Sequence, residues 1–445
     1  MNQPTTPSDS TFTLSEAVEG AAAHPDLVDT IFANQAQWLF RLATGSLHPP
    51  VTSSLLCHHH HLHAARTGRS GVILALPEQP GTPSECLDRT LGWLSSTGCG
   101  DVLIWSARIN ASLDRQLRAR GAGSSFLPHW MWREITEPVS PPTIPPKIHL
   151  SLATSADLAD LVATHGVPYA QDDQLREMLQ LASAPSADAP VGVIVARESH
   201  LLRRSQIVGI TAVNLIEWEG KRVAGLFNLG VHPDVRGRGI GTALTLSALA
   251  FARQHGASAM GLNATPDGER VYRHLGFQSI GHGQTWFMTA ARLRHRPGFD
   301  LVTQAEALAM GDIERLDSVI ARIGLMPNGE TPIAFAAHFQ QTSAARWLLD
   351  RGASADILSL WKLGLRDEAI ALMTDPAALT RVAGPNATTP LHDAVDLGDI
   401  ELARFLIASG ADLSARDRQY HATPQDWARV LNRPEIAALI AEAAR

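Results

Sequence analysis

Lysine is almost absent from this chain. Of its 37 basic residues only Lys147, Lys221 and Lys362 are lysine, and the remainder are arginine. No long Lys/Arg run occurs and the net charge is −7, which argues against a nucleic-acid-binding surface. Three cysteines (Cys57, Cys86, Cys99) are too few and odd in number for a disulfide framework, and point to a reducing compartment. Apolar runs long enough to span a bilayer are missing, so no membrane segment is expected. The start, MNQPTTPSDSTF, has neither a basic flank nor an apolar stretch, so no signal peptide is visible. A cytoplasmic enzyme is the expectation. Tyrosine is scarce too, with Tyr169, Tyr272 and Tyr420 the only three.

At 445 residues, 45% of them hydrophobic, the chain suits two or three domains with ordinary cores. Residues 1–13 read as a loose polar tail. Residues 1–137 then alternate helix and strand: a helix over 26–44, strands at 51–61 and 71–76, a helix over 84–96, and a strand at 101–105. A helix near 113–120 and a closing strand over 126–135 complete an α/β lobe. Within it, His59, His61 and His63 would share one face of a strand. No nearby carboxylate or cysteine pair completes a metal site, so solvated or pocket-lining imidazoles are expected, with no metal. Residues 138–147 (PVSPPTIPPK) can hold neither helix nor ladder strand and read as an extended linker. The second lobe, 148–295, opens with a strand, two helices around Tyr169, and strands near 191–197, 207–217 and 223–231. A strand at 260–263, a helix at 268–275 and a closing strand at 285–289 finish it.

One stretch of that lobe organises the rest. Phe227 to Leu246 (FNLGVHPDVRGRGIGTALTL) reads as strand, turn, glycine-broken loop and helix. Glycines 237, 239 and 241 strip side chains where the backbone enters the helix. Consecutive N–H groups at the positive end of a helix dipole suit a phosphate or pyrophosphate, and Arg236 and Arg238 add charge there. A Walker loop would require Lys before Thr242, and a dinucleotide fingerprint a different glycine spacing, so neither applies.

The stretch resembles the acetyl-CoA loop of the GNAT acetyltransferases. Arg236, Gly239 and Gly241 match its Arg/Gln-x-x-Gly-x-Gly/Ala signature, Val231-His232-Pro233 its preceding Val-x-Pro, and Tyr272 to Phe277 its closing Tyr-x-x-x-Gly-Phe. The resemblance implies an α/β GNAT fold, a mixed and mostly antiparallel central sheet flanked by helices. The first lobe, which lacks the glycine loop, would be a degenerate copy of it or an unrelated α/β domain. Acetyl-CoA would be the acyl donor, and no metal is implied. Backbone groups of Leu229 and Val231 would pair with the pantetheine arm between splayed fourth and fifth strands. Loop atoms of Arg236, Gly237, Arg238, Gly239, Ile240, Gly241 and Thr242 would hold the pyrophosphate, and Asn263 would bond pantetheine. Tyr272 would protonate the departing thiolate, or else be a phenol packed at the sheet edge. Many relatives carry a Glu as base where this chain has Phe227. Glu217 is then the leading candidate for the base, with Glu219, Asp172 and Asp173 behind it.

Beyond residue 297 the pattern changes. Thr331-Pro332, Thr389-Pro390 and Thr423-Pro424 recur, the latter two 34 residues apart, and each Thr-Pro suits a helix start. Glycines close the helix pairs at Gly352 and Gly410. Residues 299–445 resemble four to five ankyrin repeats, with one unmarked repeat in the 58 residues between the first two Thr-Pro pairs. Three function classes follow. One is an N-acetyltransferase acting on a primary amine of a small molecule or peptide, such as an antibiotic or toxic metabolite. Another is a protein acetyltransferase whose ankyrin repeats recruit its target. The last is a non-catalytic CoA-binding scaffold. Neither nucleic acid nor membrane is an expected partner.

Overall fold

A computed structural model describes residues 24–44, 46–47, 56–59, 62–67, 70–75, 84–136, 142–163, 172–184, 190–199, 205–295, 299–319, 325–327, 329–382, 387–418 and 420–444. Contacts divide the chain into two units, residues 1–117 with 122–296, and residues 118–121 with 297–445. The sequence reading of 1–13, of Tyr169 and its loop, and of residues 138–141 of the proline-rich linker lies outside the described residues.

The first unit begins with helix α1 (Pro25–Thr44), then strands β1 (Leu56–His59), β2 (Leu62–Thr67) and β3 (Ser70–Ala75). Helix α2 (Ser84–Ser96), β4 (Val102–Ser106), α3 (Ala111–Ala119), β5 (Gly123–Ser124) and β6 (His129–Glu134) follow. After the linker come β7 (Ile148–Leu152), α4 (Leu158–Ala163), α5 (Asp172–Ser183), β8 (Val191–Glu198), β9 (Gln206–Trp218) and β10 (Lys221–Val231). The unit closes with α6 (Ile240–Gln254), β11 (Ala259–Ala264), α7 (Pro266–His274), β12 (Gln278–His282), β13 (Gln284–Met288) and α8 (Ala290–Arg294).

The strands make two mixed sheets, ordered β1-β2-β3-β4-β13-β5 and β12-β6-β11-β10-β9-β8-β7. Each sheet has one central parallel pair, β3 with β4 and β10 with β11. The lobes exchange a strand. The last strand of the N-terminal lobe, β6, is inserted between β11 and β12 of the second sheet, and β13 is inserted between β4 and β5 of the first. Sequence order had placed 126–135 and 285–289 as the closing strands of their own lobes, and the sheets assign them the other way round. The pairing is anchored by large buried side chains: Trp130 and Met131 on β6 and Trp286 on β13 are fully buried. The Trp286 indole N–H also donates to the Asp114 carboxylate at 2.5 Å. Each such side chain contributes roughly 1.5–3 kcal/mol by leaving water. The linker at 138–147 is therefore a boundary in sequence that both sheets cross.

The His59–His63 reading also changes. Strands β1 and β2 pair antiparallel with His58 opposite His63, so His59 and His63 stand on different strands. Their side chains lie outside the described ones.

Alternation along β9, reset by a bulge at Val208 where the register with β8 shifts, distributes the cores of the second sheet. Val208, Val213 and Leu215 face α6, whose Ile240, Leu244, Ala248 and Leu249 are buried there. Ile207, Ile210 and Ala212 face the other way, under Trp38 and Leu42 of α1 and Leu175 and Met178 of α5. Helix α1 therefore covers a sheet that lies far downstream of it in sequence. A Cβ on Gly261 would lie 2.4 Å from Ile31 Cγ1, so only glycine admits α1 this close. Asn34 and Asn214 lock the contact, each donating to the other residue: Asn214 Nδ2 to Asn34 Oδ1 at 2.9 Å, and Asn34 Nδ2 to Asn214 O at 3.2 Å. Arg41 is buried beside them, donating to the Asn214 side chain and to Leu215 O at 3.1 Å, and burial lowers its pKa to about 10.

The second unit is helical. Among the described residues five helix pairs follow one another: α9 (Phe299–Met310) with α10 (Ile313–Val319), α11 (Pro332–His338) with α12 (Thr342–Leu349), and α13 (Ile357–Lys362) with α14 (Arg366–Leu372). After a short helix, α15 (Pro376–Thr380), come α16 (Pro390–Leu397) with α17 (Ile400–Ala408) and α18 (Pro424–Val430) with α19 (Pro434–Ala443). Thr331 and Thr423 accept from the N–H three residues on, as the Thr-Pro pattern predicts. The unmarked repeat begins at Asp356, whose carboxylate accepts from Ser359 N–H at 2.9 Å and does the threonine's work. Leading helices pack on their successors, so a single core runs through the array.

Candidate functional site

The parallel pairing of β10 with β11 ends at Leu226 with Leu262. Beyond it β10 continues to Val231 beside β9, while Asn263 and Ala264 of β11 continue beside β6. The two central strands part there, leaving the β11-facing edge of residues 227–231 without a strand among the described residues. A bulge accompanies the parting: the register with β9 shifts between Phe227 and Gly230, and Asn228 has a φ of 51°. Leu229 and Val231, the residues expected to meet pantetheine, sit half-buried on this edge.

The glycine loop stands at the end of the same edge. After the turn Pro233–Val235 the chain passes Gly237 at φ 75° and Gly239 at φ 84°, conformations that a Cβ would strain. Gly239 caps α6 without a side chain, and the first intrahelical bond runs from Ala243 N–H to Gly239 O at 3.0 Å. The N–H groups of Ile240, Gly241 and Thr242 therefore stand ahead of the helical ladder at its positive end. The space beside Gly241 is bordered by methyl groups: a Cβ added there would stand 3.9 Å from Val231 Cγ2 and 4.0 Å from Leu229 Cδ2. Arg236 folds back to donate to Val231 O at 3.1 Å and stays exposed. Arg238 is paired with Glu198 at 2.9 Å, so part of the positive charge expected from it is already neutralised.

Tyr272 lies on α7, 6% exposed, with its ring against Gly268 one turn back and edge-on to Phe277 at 5.7 Å. Asn263 is half-buried, and its side-chain oxygen accepts from His129 N–H at 3.0 Å. That carboxamide oxygen is thus engaged with the exchanged strand β6.

Glu217 stands apart from the rest. It is exposed near the end of β9, paired with Arg222 at 2.5 Å, in the hairpin that opens β10. Phe227, where the strands part, is five residue steps along the strand from Arg222. At about 3.3 Å per residue that is roughly 17 Å. Glu219 sits in the same exposed turn at φ 49°. Both candidate bases lie at the opposite end of β10 from the glycine loop, because the long strand puts its hairpin and its loop at opposite ends. The side chains of Asp172 and Asp173 lie outside the described ones. Phe227 itself is stacked on Trp38, so no carboxylate occupies that position.

Sequence reasoning missed a polar cluster beside Asn263. His129 on β6, Glu269 on α7 and Ser279 and His282 on β12 converge there. His129 is 134 residues from Asn263, and only the strand exchange brings it near. Among the described residues no group of three metal-ligating side chains forms.

Residues 159–277 match the family model described as the acetyltransferase (GNAT) family, and residues 276–417 match ankyrin repeats (3 copies). No curated protein matches the chain. Among solved structures, a GCN5-related N-acetyltransferase from Kribbella flavida is 19% identical, with 61% of this chain and 98% of that one covered at a TM-score of 0.44. One from Sphaerobacter thermophilus is 18% identical (54% and 79% covered, TM-score 0.39). A tandem GNAT protein from the clavulanic acid biosynthesis pathway is 14% identical (58% and 95% covered, TM-score 0.39). The chain carries a GNAT acetyltransferase domain followed by ankyrin repeats.

Proposed function

We propose that this chain is an acetyl-CoA-dependent N-acetyltransferase that acts on a primary amine of a small molecule or peptide. The observation that carries the reading is the juxtaposition of the uncapped α6 N-terminus with the parted β10 and β11. The pyrophosphate of acetyl-CoA would lie on the N–H groups from Gly237 to Thr242, with Arg236 beside it. Its pantetheine arm would run along Leu229 and Val231 as a missing strand, and a backbone N–H near Leu229 would polarise the thioester carbonyl. The amine attacks directly, positioning supplies much of the acceleration, and Tyr272 protonates the leaving thiolate. Phe227 leaves the amine without a strand carboxylate, so its proton leaves through water.

The ankyrin repeats serve as an accessory binding or docking module. A protein acetyltransferase that recruits its target through them is the second reading, and the five consecutive helix pairs favour it. A non-catalytic CoA-binding scaffold is the third, favoured by the aromatic pair where a base would stand. The described cysteines Cys86 and Cys99 are free, which fits a cytoplasmic setting.

CoA release from acetyl-CoA, with small-molecule and protein fractions of a lysate offered separately, tests the reading. Release with small molecules, abolished in Tyr272→Phe, supports it and fits detoxification of an antibiotic or metabolite. Release only with protein, lost on removing 299–445, favours recruitment through the repeats. Binding of acetyl-CoA with no release across a defined amine panel favours the scaffold.

A further inference from the structure

Strand β6 meets α7 and β12, which lie far from it in sequence, at the outer edge of the second sheet. His129, on the exchanged strand β6, has its Nε2 2.7 Å from Ser279 Oγ and its Nδ1 3.3 Å from a Glu269 carboxylate oxygen. A carboxylate can only accept, so Nδ1 carries the proton and donates to Glu269. Nε2 is then the acceptor, and the Ser279 hydroxyl donates to it.

The imidazole is held from every side. Its backbone N–H donates to Asn263 Oδ1 at 3.0 Å, its ring stacks on His282 with centroids 4.5 Å apart, and Glu269 is itself pinned by Arg273 Nε at 2.6 Å. A bulge makes the arrangement possible. Residues 279 and 282 of an unbroken strand would face opposite sides, but the register with β6 shifts between Ser279 and Gly281. Both therefore reach the His129 face. The histidine is buried, whereas Ser279 is exposed on β12, the edge strand.

We propose that Ser279, His129 and Glu269 form a nucleophile–base–acid triad, a second acyl-accepting site separate from the glycine loop. The arrangement is recognised by geometry and role, with each member in its proper tautomer. Burial, followed by the neighbouring Arg273, holds the His129 pKa below its ordinary value against the opposing pull of Glu269, keeping the ring a neutral acceptor at pH 7. The charged groups facing it, Glu269 and Arg273, are paired with each other, so the substrate class is a small neutral ester. Ser279 Oγ bonds to the ester carbonyl carbon and the ester C–O bond breaks. The hydroxyl proton passes to His129 Nε2 and then to the leaving alkoxide. Water, deprotonated by the same nitrogen, attacks the acyl-serine, the acyl C–O bond to Ser279 breaks, and the proton passes from His129 to Ser279 Oγ, releasing a carboxylic acid.

The test uses the full-length protein with diisopropyl fluorophosphate, in which Ser Oγ displaces fluoride from phosphorus, and reads the modified residue by mass spectrometry. The expected result is a covalent adduct on Ser279, absent in Ser279→Ala, and slowed at least about tenfold in His129→Gln and in Glu269→Gln. Circular dichroism confirms that each variant is folded, and Ser279→Ala at an exposed position and Glu269→Gln at a half-buried one keep the test informative if His129→Gln is not. No adduct on the wild-type chain, an adduct elsewhere, or equal rates in wild type and Glu269→Gln would overturn the proposal.

Discussion

Phe227 lies nearly flat against Trp38, their ring centroids 5.3 Å apart and their planes 17° from parallel. The pair joins α1 of the N-terminal lobe to the residue at which β10 leaves β11. It fills with aromatic surface the position where the GNAT resemblance led to the expectation of a carboxylate. Trp38 is 3% exposed. Truncating it would leave a large cavity under the sheet, so Trp38→Ala is expected to lower unfolding stability by about 3–5 kcal/mol. Urea denaturation measures this, and a loss below about 1 kcal/mol would mean that α1 is only loosely seated.

At Gly239 the backbone adopts φ 84°, which costs an L-residue roughly 1–2 kcal/mol. Gly239→Ala is expected to twist the loop away from α6 and weaken acetyl-CoA binding about tenfold, since 1.4 kcal/mol is a factor of ten. Isothermal calorimetry on the wild type and the variant decides it. Unchanged affinity would place the pyrophosphate elsewhere.

Strand exchange makes a separate prediction. A chain beginning after residue 137 would lack β6, leaving β11 and β12 without the strand between them and the face under α1 bare. Such an exposed edge and apolar face invite aggregation. Residues 142–295 alone are expected to be insoluble, and a soluble, cooperatively melting fragment would show that the second sheet can close without β6.

Burial, joined by the neighbouring His129, lowers the His282 pKa from 6.5 to about 4. Between those values the unfolded chain binds a proton that the folded chain refuses, so stability falls as pH drops from about 6.5 toward 4 and is unaffected above. His282→Gln, which cannot take up that proton, is expected to flatten this acid limb in denaturation midpoints measured from pH 7 to pH 4. Parallel curves for the two proteins would assign the acid loss to other groups.

How much of this was legible beforehand differs by element. The glycine loop and α6 were readable because the signal is local: glycines where φ is positive, then an apolar stripe at helical spacing. The Thr-Pro starts of the repeats were readable for the same reason, and even the unmarked repeat kept its register with Asp356 as cap. Residues 126–135 and 285–289 were recognisable as strands, but their partners were not. A run such as His129–Glu134 carries no mark of which sheet it will join, because period-two alternation fixes which residues share a face and not which strand lies alongside.

The sequence alone therefore determined the local chemistry of this protein: the phosphate-suited loop, the tyrosine on the following helix, the absence of a carboxylate at Phe227 and the repeat array. Tertiary structure decided which residues share a site. It sent Glu217 to the far end of β10, placed Trp38 over Phe227, and delivered His129 from one lobe to Glu269 and Ser279 of the other. The physical reason is that periodicity and turn chemistry act over a few residues. Strand order is settled by the burial of side chains such as Trp130 and Trp286, on strands paired with residues more than a hundred positions away.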